Sequence, residues 1–173
     1  TPRHTFQLLT KRPSRMREYF EDLYTNEAAH DRVLSQANRI GGGPVRFPPT
    51  NIWWGTSVED QEAADERLPH LIAMKNVRGL LPYGPPTTFV SFEPLLGPID
   101  LAEWMPKMCP VHHSLTCCSR NPPWSWAIIG GESGPKARPM NCAWAEDLIK
   151  QCRSMGVKVF FKQTGTAWAK AKG

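Results

Sequence analysis

The chain has 173 residues, of which 40% are hydrophobic and 21% charged, and its formal net charge is +5 at pH 7. This composition is typical of a globular protein with one core, and every apolar run is far shorter than the ~20 residues that cross a bilayer, so we expect no membrane segment. Five cysteines, an odd number, do not resemble a secreted disulfide framework, and the first residues do not resemble a signal peptide, so we expect a cytoplasmic location.

Five short apolar runs predict the strands of one α/β domain that covers residues 1–173. They are the segments 6–10, 51–58, 87–96, 126–129 and 157–161. Helical patterns follow most of these runs, and the connections between them do not have the short turn sequences of hairpins. Strands that alternate with helices favour a parallel sheet with right-handed crossovers.

The helices are predicted from apolar residues that recur with a period of 3.6. Ser14 is the expected cap of the first helix, Asn141 is the expected cap of the last, and Gly156 fits the position just beyond the end of that last helix. Pro69 lies inside another helical pattern, 60–75, and we expect it to kink or divide that helix.

Residues 106–123 have no regular pattern and are predicted to form an insertion between two strand–helix units. Their potential metal ligands are Cys109, His112, Cys117 and Cys118. Four soft ligands in one short loop are enough for a structural zinc ion, but two adjacent cysteines rarely bind one ion well. A zinc site and an unliganded surface insertion both remain open, and the sequence favours the insertion.

Polar residues gather where the predicted strands end. They are Lys11 and Arg12 after the first strand, Thr56, Ser57 and Glu59 at the second, Glu93 at the third, Gly130, Gly131, Glu132 and Ser133 at the fourth, and Lys162 and Gln163 at the fifth. The carboxyl ends of parallel strands meet at one edge, where α/β proteins hold their ligands. A single glutamate after a strand is often a helix cap, but three at one edge indicate a binding site, whose glycines let the backbone approach a ligand.

Five segments, in this order, resemble the phage Gp37/Gp68 family, also called DUF5131. They are TFQLLTKRPSRM, NIWWGTSVEDQEAADERLPHL, FVSFEPLLGPIDL, WAIIGGESGPKARPM and VFFKQTG. Members of that family resemble radical S-adenosylmethionine proteins, which have a partial (β/α) barrel and a cysteine-rich [4Fe–4S] motif after the first strand. The resemblance therefore implies S-adenosylmethionine and a [4Fe–4S] cluster as cofactors, and a TIM-like barrel of which this chain lacks the first strands.

The chain departs from the family pattern at several points. No CxxxCxxC motif occurs, so the cluster ligands are absent from this sequence, and Thr164 stands where the family often has tryptophan. The Gly130–Glu132 triplet resembles a motif with which radical enzymes bind the methionine amino group, but that motif normally belongs to an early strand. Because the chain starts without Met close to its first strand, we expect an inactive fragment whose segment 6–10 is an open sheet edge able to self-associate.

Two functions remain as hypotheses. The first is an enzyme of the radical S-adenosylmethionine type, in which the carboxylates bind the ligand's amino group or hydroxyls, the hydroxyl side chains bind its ribose, and the basic side chains bind a carboxylate or phosphate. The second is a nucleic-acid-binding or processing module, which the net charge, the basic strand ends and the seven tryptophans favour. The two hypotheses are compatible if the substrate is a nucleotide.

Overall fold

A computed structural model describes residues 4–41, 51–77, 84–105 and 122–167 of the chain. Its sheet consists of β1 (Phe6–Thr10), β2 (Ile52–Ser57), β3 (Thr87–Phe92), β4 (Trp126–Gly130) and β5 (Lys158–Gln163). Neighbouring strands are all parallel and follow the order of the chain, from β1 to β5. The predicted parallel α/β sheet is therefore confirmed. Strands also follow chain order in the wall of a (β/α) barrel, whereas a doubly wound sheet reverses its order at a switch point.

Helices connect the strands. They are α1 (Pro13–Thr25), α2 (Glu27–Gly41), α3 (Gln61–Ala73) and α4 (Cys142–Ser154), with short 3-10 turns at Met74–Asn76 and Ala102–Trp104. Pro69 lies inside α3 without dividing it, because Leu68 and Leu71 on either side are fully buried and keep both halves of the helix on the core. Among the described residues, no helix has the length and apolar character needed to cross a membrane.

The helices α1 and α4 begin in different ways. α1 begins at Pro13, and Arg12 occupies the cap position without a side-chain hydrogen bond, so the prediction of Ser14 as the cap is wrong. Proline lacks an amide hydrogen and its φ is preset for a first helical turn, so the helix begins two residues earlier than a cap at Ser14 would place it. α4 has the predicted cap, since the Asn141 side chain accepts a hydrogen bond from the Ala143 amide at 3.0 Å.

The helices cover one face of the sheet. Trp54 of β2 packs edge-on against Phe20 of α1, with ring centroids 5.4 Å apart. Phe92 of β3, Ile129 of β4 and Leu148 of α4 are fully buried in the same core. The main core therefore lies between the helices and the central strands.

The opposite face carries an aromatic row, which consists of Trp53, Phe89, Trp126 and Phe160. The ring centroid of Trp126 lies 5.6, 6.2 and 6.3 Å from those of Trp53, Phe89 and Phe160. Each of these residues comes from a different strand, so the row crosses the sheet from β2 to β5. A side chain at Gly55 would collide with the Phe89 ring, which explains the glycine directly after the two tryptophans of β2.

Candidate functional site

The carboxyl ends of all five strands lie at one edge of the sheet, here called the carboxyl rim, because the strands are parallel. The residues predicted to form a site stand at or just after these strand ends. Their side chains do not form one continuous cluster. The structure divides them into a group around Glu93, a pair formed by Glu132 and a group around Glu59, each of which has its own geometry.

Glu93, directly after β3, reaches across the end of β4 to β5. Its carboxylate accepts hydrogen bonds from Lys162 Nζ at 3.1 Å and from Gln163 Nε2 at 3.3 Å. Gly130 ends the strand that lies between them, and a Cβ atom there would be only 3.3 Å from Glu93 Oε1. A glycine at this position therefore leaves room for the Glu93 carboxylate.

A β-bulge brings two consecutive side chains of β5 to the same carboxylate. The pairing of β4 with β5 shifts after Ile129, so that Gly130 pairs with Gln163 and Lys162 becomes the extra residue. Consecutive residues of a regular strand point to opposite faces, whereas a bulge re-aims the side chains beside it. Gln163 also donates a hydrogen bond to Ser133 Oγ. The Glu93 cluster is thus defined by Glu93, Lys162, Gln163 and Ser133.

The segments after β4 and β5 stay in close contact beyond the strands. The Gly131 amide donates a hydrogen bond to the Gln163 carbonyl at 2.9 Å. A side chain at Gly131 would collide with the Thr164 carbonyl, and a Cβ atom at Gly165 would lie 2.7 Å from the Glu132 carbonyl oxygen. These two glycines therefore permit the approach of one backbone segment to the other, which fixes the position of the Glu93 cluster.

Glu132 is bound by Arg138 within the loop that follows β4. Its carboxylate accepts a hydrogen bond from the Arg138 backbone amide at 2.7 Å and two from the guanidinium, both at 2.9 Å. The hydrogen bonds from Arg138 lower the pKa of Glu132 to about 2. Glu132 closes this loop and does not cap α4, and a ligand that used its carboxylate would have to share it with Arg138.

Glu59, after β2, is the most buried of the three rim glutamates and is 8% exposed. Its carboxylate lies 2.6 Å from Lys11 Nζ and accepts a hydrogen bond from Arg67 Nη1 of α3 at 2.8 Å. Arg67 Nη1 also donates to the Ser57 carbonyl at 2.9 Å. The Glu59 cluster, defined by Glu59, Lys11 and Arg67, holds one buried carboxylate between two cations, and Arg67 also pairs with the Glu66 carboxylate at 3.4 Å.

Two predicted site residues lie apart from these clusters. Arg12 lines a groove of about 410 Å³ beside β1, together with Leu9 and Tyr19, and does not join its neighbour Lys11 at Glu59. Thr56 is fully buried, and its hydroxyl donates to the Thr10 carbonyl at 3.0 Å. Its hydroxyl therefore ties β2 to β1 below the surface of the rim.

A family model described as a protein of unknown function, DUF5131, matches residues 1–172. The chain belongs to the DUF5131 family. The expected membership of DUF5131 is therefore confirmed. No curated protein and no solved structure matches the chain.

Among the described residues of this DUF5131 chain, the potential metal ligands lie apart from one another. Cys142 and Cys152 both lie on α4, and burial raises the pKa of the Cys152 thiol to about 12. Within the described ranges, no group of three or more His, Cys, Asp or Glu residues is placed to hold a metal ion. These ranges therefore do not fit a [4Fe–4S] cluster. The zinc candidates Cys109, His112, Cys117 and Cys118 lie outside the described residues.

Two arginines of the DUF5131 rim, Arg67 and Arg138, were not among the residues predicted from the sequence to form the site. Arg138 stands in the basic segment after the glycine turn, six residues from Glu132, and this short separation was a usable signal. Arg67 comes from the second turn of α3 and reaches Glu59 only because the helix folds back beside β2. Its role therefore depends on tertiary structure and left no local pattern.

Proposed function

We propose that the carboxyl rim of this DUF5131 chain binds S-adenosylmethionine, and that the chain is part of an enzyme of the radical S-adenosylmethionine type. The Glu93 cluster is the observation that carries the proposal. It sets a carboxylate beside an ammonium and an amide, with Lys162 Nζ 3.0 Å from Glu93 Oε1. Such a set can bind the amino and carboxylate groups at the methionyl end of the ligand. Barrel enzymes hold their ligands at the corresponding edge of the sheet.

The balance of charge in the Glu93 cluster favours a ligand with both signs of charge. Glu93 and Lys162 are 20% and 50% exposed, so solvent reaches both members of the pair. An amino-acid end group offers Glu93 an ammonium and offers Lys162 a carboxylate, so both side chains keep a charged partner. A ligand with a single charge would leave one of them without its partner, which is costly in a partly desolvated site.

The role proposed for the described residues is binding and orientation. S-adenosylmethionine, when bound, supplies the reactive group attached to its sulfonium. Glu93, Lys162 and Gln163 would hold the methionyl end, and the Gly131–Thr164 contact would fix the position of these side chains. A role for Glu132 in the same site would require it to share its carboxylate with Arg138.

Calorimetric titration of the chain with S-adenosylmethionine tests the proposal. A charge-assisted hydrogen bond is worth ~1.5–3 kcal/mol, so Glu93→Gln should weaken binding roughly ten- to a hundredfold. Glu146→Gln, an exposed glutamate of α4, is the matched control and should leave the affinity unchanged. L-methionine should compete for the site, whereas adenosine alone should compete weakly. Equal affinity of the wild type and Glu93→Gln would exclude the Glu93 cluster as the site.

A nucleic-acid-binding or processing function is the second candidate, and the aromatic row favours it. Phe160 of β5 is 50% exposed, and Lys158 and Lys162 stand two residues before and after it. Aromatic rings interleaved with cations bind single-stranded nucleic acid with little sequence preference. Filter binding of a single-stranded oligonucleotide should then fall steeply with salt, and Phe160→Ala should reduce it. Salt-independent or undetectable binding would remove this candidate.

A further inference from the structure

The hydrogen bonds of the Glu93 cluster run in one direction, because the group at its centre can only accept. The Glu93 carboxylate, paired with the Lys162 ammonium, has no hydrogen to donate. The atom of the Gln163 amide that lies 3.3 Å from Glu93 Oε1 is therefore the nitrogen, since the opposite orientation would place two acceptor oxygens against each other. Glu93 thus fixes the orientation of the Gln163 side-chain amide.

Both hydrogens of the Gln163 amide nitrogen are used inside the cluster. One is donated to Glu93 Oε1 and the other to Ser133 Oγ. Because the Ser133 oxygen accepts this bond, its own hydroxyl hydrogen points away from Gln163. Ser133 is exposed, and the described contacts give this hydrogen no acceptor within the chain. The Ser133 hydroxyl therefore has a donor available to a ligand at the rim.

Hydrogen bonds on both sides of Ser133 hold this hydroxyl in place. The Glu132 carbonyl accepts a hydrogen bond from the Thr166 amide at 3.0 Å, and the Gly134 amide donates to Thr166 Oγ1 at 3.1 Å. Gly134 has a φ of 122°, which a glycine adopts without strain. A donor that is already fixed in position loses less conformational entropy when it binds a ligand.

We propose that Ser133 determines the specificity of the Glu93 cluster for a ligand carboxylate, to which it donates its hydroxyl hydrogen. Gln163 is the positioning residue that directs this hydrogen, and Lys162 supplies the positive charge. This inference rests on the proposed function and names the end group that the site selects, an α-amino acid whose carboxylate is free. A carboxylate accepts from both the hydroxyl and the ammonium, whereas a plain amine offers them no acceptor.

Calorimetric titration of the chain with S-adenosylmethionine and with decarboxylated S-adenosylmethionine tests the inference, because the two ligands differ only in the carboxylate. Ser133→Ala should weaken the binding of S-adenosylmethionine about tenfold, the loss expected for one hydrogen bond to a charged group. The affinity for the decarboxylated ligand should be unchanged. Ser154→Ala, which removes an exposed hydroxyl at the end of α4, is the control and should alter neither affinity. Equal weakening of both ligands by Ser133→Ala would overturn the inference.

Two further variants separate the direction of the hydrogen bond from a structural role. Ser133→Thr keeps the hydroxyl and should keep the preference for the carboxylate. Gln163→Leu removes the donor that orients Ser133, so the preference should fall severalfold. A purely structural role of Gln163 would instead weaken both ligands equally, and that result would overturn its positioning role. Circular dichroism checks the fold of Gln163→Leu, and Ser133→Ala at its exposed position provides the test should that variant not fold.

The same preparations distinguish this inference from the proposed function when L-methionine and methylthiopropylamine, the same molecule without its carboxylate, are added as probes. A wild type that does not bind S-adenosylmethionine but prefers L-methionine to the amine, in a Ser133-dependent way, would exclude only the proposed function. Binding of S-adenosylmethionine that depends on Glu93 but not on Ser133 would exclude only this inference. If neither S-adenosylmethionine nor L-methionine binds, both are excluded.

Discussion

The middle of the sheet and its two edges carry similar apolar side chains in different surroundings. Phe92 of β3 and Ile129 of β4 are fully buried, whereas Phe161 of β5 is 42% exposed and Leu9 of β1 is 51% exposed. In the described sheet the central strands have neighbours on both sides, while β1 and β5 each pair on one side. An apolar pattern therefore predicts that a segment is a strand, but its position in the sheet decides how much that strand adds to stability.

The largest difference in unfolding free energy is expected between two phenylalanine truncations, one in a central strand and one in an edge strand. Phe92→Ala removes a fully buried ring and should lower the free energy of unfolding by about 3–5 kcal/mol, because the cavity does not close completely. Phe161→Ala at the edge should lower it by roughly 1 kcal/mol or less, because much of that ring is already in water. Urea unfolding measures both, and equal losses would contradict the contrast between centre and edge.

A smaller loss of unfolding free energy is expected from a substitution at the carboxyl rim, where the segment after β4 contacts the segment after the edge strand β5. Gly131→Ala forces a Cβ atom against the Thr164 carbonyl and should cost roughly 1–3 kcal/mol of unfolding free energy. Gly97→Ala is the control, because the nearest atom to its added Cβ is the Asp60 side chain at 3.9 Å. Such a substitution should be neutral or slightly stabilising. A stable Gly131→Ala variant would show that the two rim segments are free to separate.

The edge of β1 is expected to affect association more than stability. An exposed apolar edge is a template for pairing with a second chain, so sedimentation of the wild type should show concentration-dependent self-association. Leu9→Lys should shift the chain towards the monomer while changing the unfolding free energy by about 0.5 kcal/mol or less. Ile40→Lys, at an exposed position of α2, is the control and should leave association unchanged. A wild type that stays monomeric at all concentrations would contradict the prediction.

The smallest effect concerns the Glu132–Arg138 pair and pH. Hydrogen bonds from Arg138 lower the pKa of Glu132 from its ordinary 4.5 to about 2 in the folded chain. The pair should therefore stabilise the fold fully above pH 4.5, and this contribution should be lost as the pH falls towards 2. Glu132→Gln should flatten the pH dependence of stability in that window, but only slightly, because the pair is accessible to solvent. The control variant Glu146→Gln should show the same pH dependence of stability as the wild type.

The strands and the end of α4 were predictable because their signals are local. Gly156 has a φ of 76°, as a glycine just beyond a helix requires, and its neighbours in sequence were enough to indicate it. The end of β5 was not predictable, since Lys162 and Gln163 are polar and continue the strand only through the bulge beside Gly130.

The candidate site shows the same division between local and distant signals. The sequence predicted which residue types stand at the strand ends, and the parallel sheet places them at one rim. It could not predict that Glu93 reaches Lys162, which lies 69 residues further along the chain. It also could not predict that Arg12 and Lys11, adjacent in sequence, have different surroundings, because the chain direction changes where α1 begins.

The bond from Glu93 across β4 has a mechanical consequence for the edge strand. It ties β5 to β3, which is not its neighbour, so the carboxyl end of β5 has an attachment in addition to its ladder with β4. The amino end of β5, around Lys158, is held by backbone hydrogen bonds to Ser125 and, through Val157, to Cys152, but the described contacts include no side-chain bond from it to a non-neighbouring strand. The strand should therefore fray from its amino end, and its amide hydrogens should exchange with solvent faster near Lys158 than near Gln163. The part of the edge that holds the Glu93 cluster would then stay ordered while the rest of the strand opens.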